Sequence, residues 1–450
     1  MYNYLSRFII LSFLLPVLLH TNPVCCAEEY WNQFRGPQGT GTVEDHPALP
    51  DKWSATENVA WEQEIPGMGW SSPIVWGDKV FLTTVIKEGA EEKPKEGLYF
   101  GGERPAPDEK HQWVVLCLDF ESGEIVWRKT AHEGTPSESR HMKNTYASET
   151  PVTDGERVYA YFGNMGLFVF DMDGNPVWEK RWKPVKTRYG WGTAASPVLY
   201  RDVIYILNDN EDQSFLEALN KKTGELIWRV ERDEKSNWAT PYIWENAQRT
   251  EIITAGSGLV RSYDLDGKLL WTLGGMSEIA VPTPFAKDGL LYICSGYVAD
   301  QTRPLFAIKP GAEGDISLQG NEKQNEFIVW YHRQGGPYMP TPVVYDGFIY
   351  VLLDRGLISC YDTKTGKPVY TNERIGRGLS FTVSPWAYNE TIFCLDEKGV
   401  THKIQAGSEF KVTGTNELDE MCMATPAIAG NSLIIRTVSR VYRISTSDSS

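Results

Sequence analysis

Basic residues are in short supply: 44 Lys and Arg stand against 59 Asp and Glu, a formal net charge of −15. Nucleic acids and anionic membrane surfaces are held through a basic footprint, so neither is expected as a partner. Long apolar runs are also scarce. The one candidate, Phe8 to Leu19, is too short and too close to the start to cross a bilayer comfortably, and no integral membrane span is expected. With one Arg, no acid and the small-residue end Cys25-Cys26-Ala27, residues 1–27 read instead as a secretory signal peptide cleaved after Ala27.

Cysteine is rare. Five follow the signal, Cys117, Cys294, Cys360, Cys394 and Cys422, an odd number that leaves at least one free or paired with another chain. Four of them sit inside apolar runs, as small buried hydrophobes do, and none has metal-ligand spacing. A lipidated cysteine normally follows a small residue, but Cys25 follows Asn22-Pro23-Val24, so a soluble exported protein, periplasmic or extracellular, is expected without a lipid anchor. Catalytic motifs are missing as well. The remaining histidines (His46, His111, His132, His141, His332 and His402) are scattered, and there is no His-Glu-x-x-His, Gly-x-Ser-x-Gly or phosphate-cradling glycine loop.

What the chain does have is a repeat. A Ser/Thr-Pro pair recurs at Ser72-Pro73, Thr150-Pro151, Ser196-Pro197, Thr240-Pro241, Thr283-Pro284, Thr341-Pro342, Ser384-Pro385 and Thr425-Pro426. The later spacings of 46, 44, 43, 58, 43 and 41 residues have the period of a four-stranded propeller blade, and the first, at 78, contains an insertion. Proline lacks the N–H that a sheet ladder needs and so suits the first residue of a channel-lining strand. Turns such as Gly77-Asp78, Asp154-Gly155 and Asp346-Gly347 supply the positive φ of tight hairpins. A second hairpin follows in most copies, and three or four residues beyond its turn stands Trp127, Trp178, Trp228, Trp271 or Tyr370, with Trp330 in the same role after a longer connection. Rings at one fixed place on each outer strand suit wedges between blades.

The two ends are complementary. Val59-Ala60-Trp61 reads as an outermost strand with no inner strands before it, while the last copy, Thr425 to Ile444, lacks its outermost strand. The expected fold is therefore all-β: an eight-bladed propeller over 59–444, closed by the N-terminal strand completing the C-terminal blade. A Gly- and Pro-rich leader, 28–58, should lie across it as irregular chain, and 445–450 should form a disordered tail. Residues 87–112, charged and rich in Pro and Gly, should form an exposed loop in blade 1. Lys309 to Glu326 should lengthen the last hairpin of blade 5.

The copies, above all Ala218-Leu219-Asn220-Lys221-Lys222-Thr223-Gly224-Glu225-Leu226-Ile227-Trp228, resemble the pyrroloquinoline-quinone (PQQ) type propeller repeat. That repeat is shared by quinoprotein alcohol dehydrogenases and the propeller lipoprotein of the outer-membrane β-barrel assembly machinery. Trp31-Asn32-Gln33-Phe34-Arg35-Gly36-Pro37, Tyr146-Ala147-Ser148 and Asp419-Glu420-Met421-Cys422 look more narrowly like exported PQQ-binding-like propellers of planctomycete-type bacteria. A quinoprotein enzyme would imply an adjacent-cysteine disulfide, a Ca²⁺ held by side-chain oxygens and an aspartate base. The only adjacent cysteines are Cys25-Cys26, inside the signal, so no cofactor is expected and PQQ with calcium stands as the alternative. Asp171-Met172-Asp173-Gly174 and Asp264-Leu265-Asp266-Gly267 lack the later ligands of a calcium loop and read as hairpin turns.

One further pattern points to function. Trp70, Tyr146, Trp191, Trp238, Tyr338 and Phe381 lie within six residues before a repeat proline, where a propeller opens at one mouth of its channel. These rings either pack between blades or form a docking surface for a protein or carbohydrate partner or a flat cofactor, with Arg140, Lys143 and Arg188 as anion contacts. A non-catalytic binding or scaffold module is the expected function; a PQQ-dependent dehydrogenase and an enzyme of another class with a spatially assembled site are the alternatives.

Overall fold

The computed structural model describes Met1 and residues 30–92 and 94–446; the expected signal peptide beyond Met1 and residues 447–450 of the expected tail lie outside that range. Among the described residues there is no α-helix, only two 3-10 turns, Gly163–Met165 and Arg188–Gly190. The strands form eight sheets, each built on four strands, in sequence order from the channel outward in every blade but the closing one. The clearest blade runs Val198–Tyr200, Val203–Asn208, Ser214–Asn220 and Leu226–Arg232, all antiparallel. Ring closure follows the reading of the two ends. Val59–Glu64 pairs antiparallel with Arg440–Ile444, matching Val59 with Ile444 and Glu64 with Arg440, so the eighth blade has no open seam.

Outer-strand tryptophans join neighbouring blades by a repeated contact. The indole N–H of Trp61 donates to Phe120 O, Trp127 to Met172 O, Trp228 to Leu265 O and Trp330 to Thr363 O, at 2.8 to 3.0 Å. Each ring also lies on the turn glycine of the following blade: a Cβ at Gly366 would come within 2.5 Å of Trp330. That glycine is therefore required by the neighbour's ring as well as by its φ of 66°. Trp271 is the exception. Its N–H turns back to Glu251 of its own blade, because the insertion in blade 5 replaces the turn on which it would have docked.

The hydroxyls of the Ser/Thr-Pro pairs link the innermost strands around the channel. Backbone N–H groups of Ser72, Thr150, Ser196, Thr283, Thr341 and Ser384 each donate to the hydroxyl of the following blade's pair at 2.9 to 3.2 Å. Proline explains only half of the motif; the hydroxyl satisfies an N–H that would otherwise be buried and unpaired.

The blade 5 insertion lengthens the hairpin between Leu305–Ile308 and Ile328–His332 as expected and adds a pairing of its own. Gly314–Asp315, within the blade 5 insertion, pairs parallel with Trp271 and Thr272 and adds a fifth strand to the outer edge of blade 4. The leader does more than lie across the propeller. Tyr30–Trp31 pairs with the innermost strand of blade 1, and Arg35, fully buried, donates to the carbonyls of Gly39, Thr40, Thr341, Pro342 and Pro385. It thereby ties the leader to blades 6 and 7. At the other end Ser445 N and Thr446 Oγ1 donate to Asn58 O and Ala48 O, so these two residues of the expected tail are held. All five described cysteines are buried and unpaired, each thiol pushed up by burial.

Candidate functional site

A cavity of about 360 Å³ opens at the Ser/Thr-Pro end of the channel. Phe34 of the leader contributes to its lining and to that of a second cavity, which borders Pro37, Tyr242 and Trp244. All eight Ser/Thr residues of the repeat pairs line the upper cavity. Above them stand Trp70, Trp191, Trp238 and Tyr338, together with Tyr297, Met339 and Met423. The Trp70 and Trp238 indoles are oriented by donation to Lys143 O and Gly192 O, at 2.8 and 2.7 Å.

The blade 1 insertion is not a free loop. Gly97 N donates to Glu397 and Lys143 donates to Gly97 O, which draws the loop across the mouth to blade 7. Leu98, Tyr99 and Phe100 then line the cavity, Tyr99 stacking on His141 and Phe100 standing edge-on to Tyr189 and Trp191. Phe100 remains 63 % exposed, as a ring at the rim of a lid would be. The signal in the sequence was the apolar trio Leu98-Tyr99-Phe100 inside an otherwise charged stretch.

Four of the six aromatic candidates meet in this cavity and two do not. Tyr146 packs on Trp113 and His111 and donates to Glu138 O; Phe381 is buried against His402. The basic candidates are occupied. Lys143 forms a buried pair with Glu397 at 2.5 Å, Arg188 pairs with Glu278 at 2.6 Å, and Arg140 donates to Asn144 O and lies over the Tyr146 ring. Among the described residues, the cation lining the cavity without an acidic partner is Arg355, which the sequence reading did not single out.

Two buried carboxyls lie behind the wall. Asp354, pushed up to about 6 by burial, accepts the backbone N–H groups of Tyr338 and Met339. Glu149, pushed up to about 7 by burial, accepts the Thr193 hydroxyl at 2.5 Å. A carboxyl that titrates higher folded than unfolded holds its extra proton in the native state, so Glu149 makes stability fall as pH rises from about 4.5 to about 7. The expected loss is on the order of 3 kcal/mol. Glu149→Gln should therefore raise the thermal midpoint at pH 8 and change it little at pH 4.5, which melts at the two pH values would show.

Two features that a calcium-assisted quinone site would bring, an acidic metal-ligand cluster and an adjacent-cysteine disulfide, are not found among the described residues. Among the described residues no three His, Cys, Asp or Glu side chains converge as metal ligands, and the cysteines are buried and unpaired. Glu397 is already committed to Lys143, Thr382 and Gly97.

Residues 93–236 and 169–311 match the sequence family described as outer membrane protein assembly factor BamB, and the chain carries repeats of this PQQ type. The outer membrane protein assembly factor BamB of Moranella endobia (strain PCIT) is 23 % identical over 340 residues, covering 72 % of this chain and 78 % of that protein. The crystal structure of BamB from Moraxella catarrhalis superposes with a TM-score of 0.54 at 12 % identity, covering 87 % of this chain and 99 % of the other. The quinohemoprotein alcohol dehydrogenase of Comamonas testosteroni gives 0.58 at 10 % identity over 93 % and 80 %. At such identities these structures share the fold.

Proposed function

We propose that this chain is an exported, non-catalytic binding or scaffold propeller that holds its ligand or partner at the lidded aromatic mouth. The observation that carries the reading is the cavity itself. Rings from several blades and from the lid converge there, while its one buried ion pair, Lys143 with Glu397, is spent on holding the lid. Such a surface offers contact area and orientation, and the imidazole in its wall, His141, is stacked on Tyr99 and accepts the Lys143 backbone N–H.

The relatives named as outer membrane protein assembly factors favour an envelope location and a protein partner. The fold shared with quinohemoprotein alcohol dehydrogenase supports a PQQ-dependent enzyme as the second reading, and the missing metal-ligand set weighs against it. A photo-crosslinking residue in place of Glu103, exposed on the lid, should form adducts in the cell. The double variant Tyr99→Ala/Phe100→Ala should lose them with an unchanged melt. No adducts from the lid, or adducts indifferent to the two rings, would contradict the mouth as the docking site.

A further inference from the structure

We infer that the mouth cavity selects a small organic anion with an apolar body, its acidic end on the ring of Ser and Thr hydroxyls and its body against Trp191, Trp238 and Tyr338. The inference rests on the mouth being the binding site and adds the chemistry of what enters it.

Hydrogen-bond balance is the first argument. The eight repeat Ser and Thr residues are each at least nine-tenths buried and line the cavity, onto which the Ser72 and Thr283 hydroxyls open. Six already accept a backbone N–H, and none of the eight donates to an acceptor among the described residues. A hydroxyl that accepts an N–H still has its proton to give, and at the wall of a cavity that proton is available to a ligand's acceptor. The ring therefore presents an excess of donors at one level of the channel. An acceptor-rich group satisfies several of them together.

Charge is the second. Arg35 donates only to carbonyl oxygens, one of them on Thr341 of the ring. Arg436, also buried, donates to Ser71 O, Ser71 Oγ and Thr83 O, immediately beside Ser72. Neither has a carboxylate partner, so two uncompensated positive charges flank the ring in a low-dielectric interior. Arg355 lines the same cavity from the exposed rim, where solvent screens its charge. Of the carboxyls behind the wall, Glu149 titrates near neutrality and Asp354 spends its charge on two backbone N–H groups. An acid is thus favoured over a neutral molecule of the same shape, and a cation is disfavoured.

Shape is the third. About 360 Å³ is at the small end of ligand sites, and above the ring the lining is aromatic and aliphatic. That volume suits one or two fused rings on a short acidic arm.

Matched probes test the inference. In calorimetric titrations, 1-naphthaleneacetate should bind at least roughly tenfold tighter than 1-naphthaleneacetamide, as hydrogen bonds to a charged group imply. Ser72 and Thr283 are the ring members whose hydroxyls accept no backbone N–H, so Ser72→Ala/Thr283→Val removes two donors without opening the ring. This variant should keep its melt, bind the acid several-fold more weakly and bind the amide unchanged. Acid and amide binding alike would overturn the anion assignment and leave the mouth a binding site. Binding of neither, with lid crosslinking intact, would overturn the small-ligand assignment alone; loss of both results would remove the mouth reading with it.

Discussion

Lys143→Met is expected to destabilise the protein by about 3–5 kcal/mol, the cost of leaving a buried charge without its partner. The Lys143 and Glu397 side chains are 5 % and 2 % exposed, and they join the loop before blade 2 to a loop of blade 7. Without the ammonium, Glu397 keeps only Thr382 and the Gly97 N–H, and Gly97 O loses its donor. The lid should loosen before the ring does, because Gly97 is held by this pair and the blades by their own ladders. Urea melts should show the lost stability, and limited proteolysis should cut first within residues 94–110. Adding Glu397→Gln should recover much of the loss, since the neutral amide no longer leaves a charge buried. A change under about 1 kcal/mol in the single variant would mean that the pair is solvated.

Trp330→Ala should have a comparable effect, about 3–5 kcal/mol, through a cavity between blades 5 and 6. Trp330 is 5 % exposed, donates to Thr363 O at 2.8 Å and covers Gly366. Gly366→Ala should destabilise from the other side of the same contact, because its Cβ would meet the indole. Trp228 is only half-buried and should cost less than Trp330 when truncated. Thermal melts of the three variants would rank them, and equal midpoints for Trp330→Ala and wild type would show that the ring does not join the blades.

The architecture was legible because its signals are local and repeated. Val59-Ala60-Trp61 could be assigned to the last blade since an outermost strand without inner strands must find them elsewhere, and Arg440–Ile444 supplies the edge. The site was less legible because a repeat position fixes where a side chain starts and leaves open which way it turns. Tyr338 and Phe381 each stand four residues before their repeat proline, yet Tyr338 lines the cavity while Phe381 turns into the core beside His402. Lys143 looked free because its partner is 254 residues away. The hydroxyls of the Ser/Thr-Pro pairs were visible from the start, but their use as acceptors between blades depends on the closed ring. Arg35 was hidden in the same way, since its carbonyl partners on blades 6 and 7 come together only when the leader enters the channel.

Binding without quinone catalysis is tested most directly by adding PQQ and Ca²⁺ to the purified protein, removing unbound quinone, and recording the retained quinone absorbance and the reduction of an artificial electron-acceptor dye with alcohol substrates. The account predicts no stoichiometric metal-dependent quinone uptake and dye reduction at the rate of the protein-free blank. Stoichiometric Ca²⁺-dependent retention of quinone together with substrate-dependent dye reduction would contradict it.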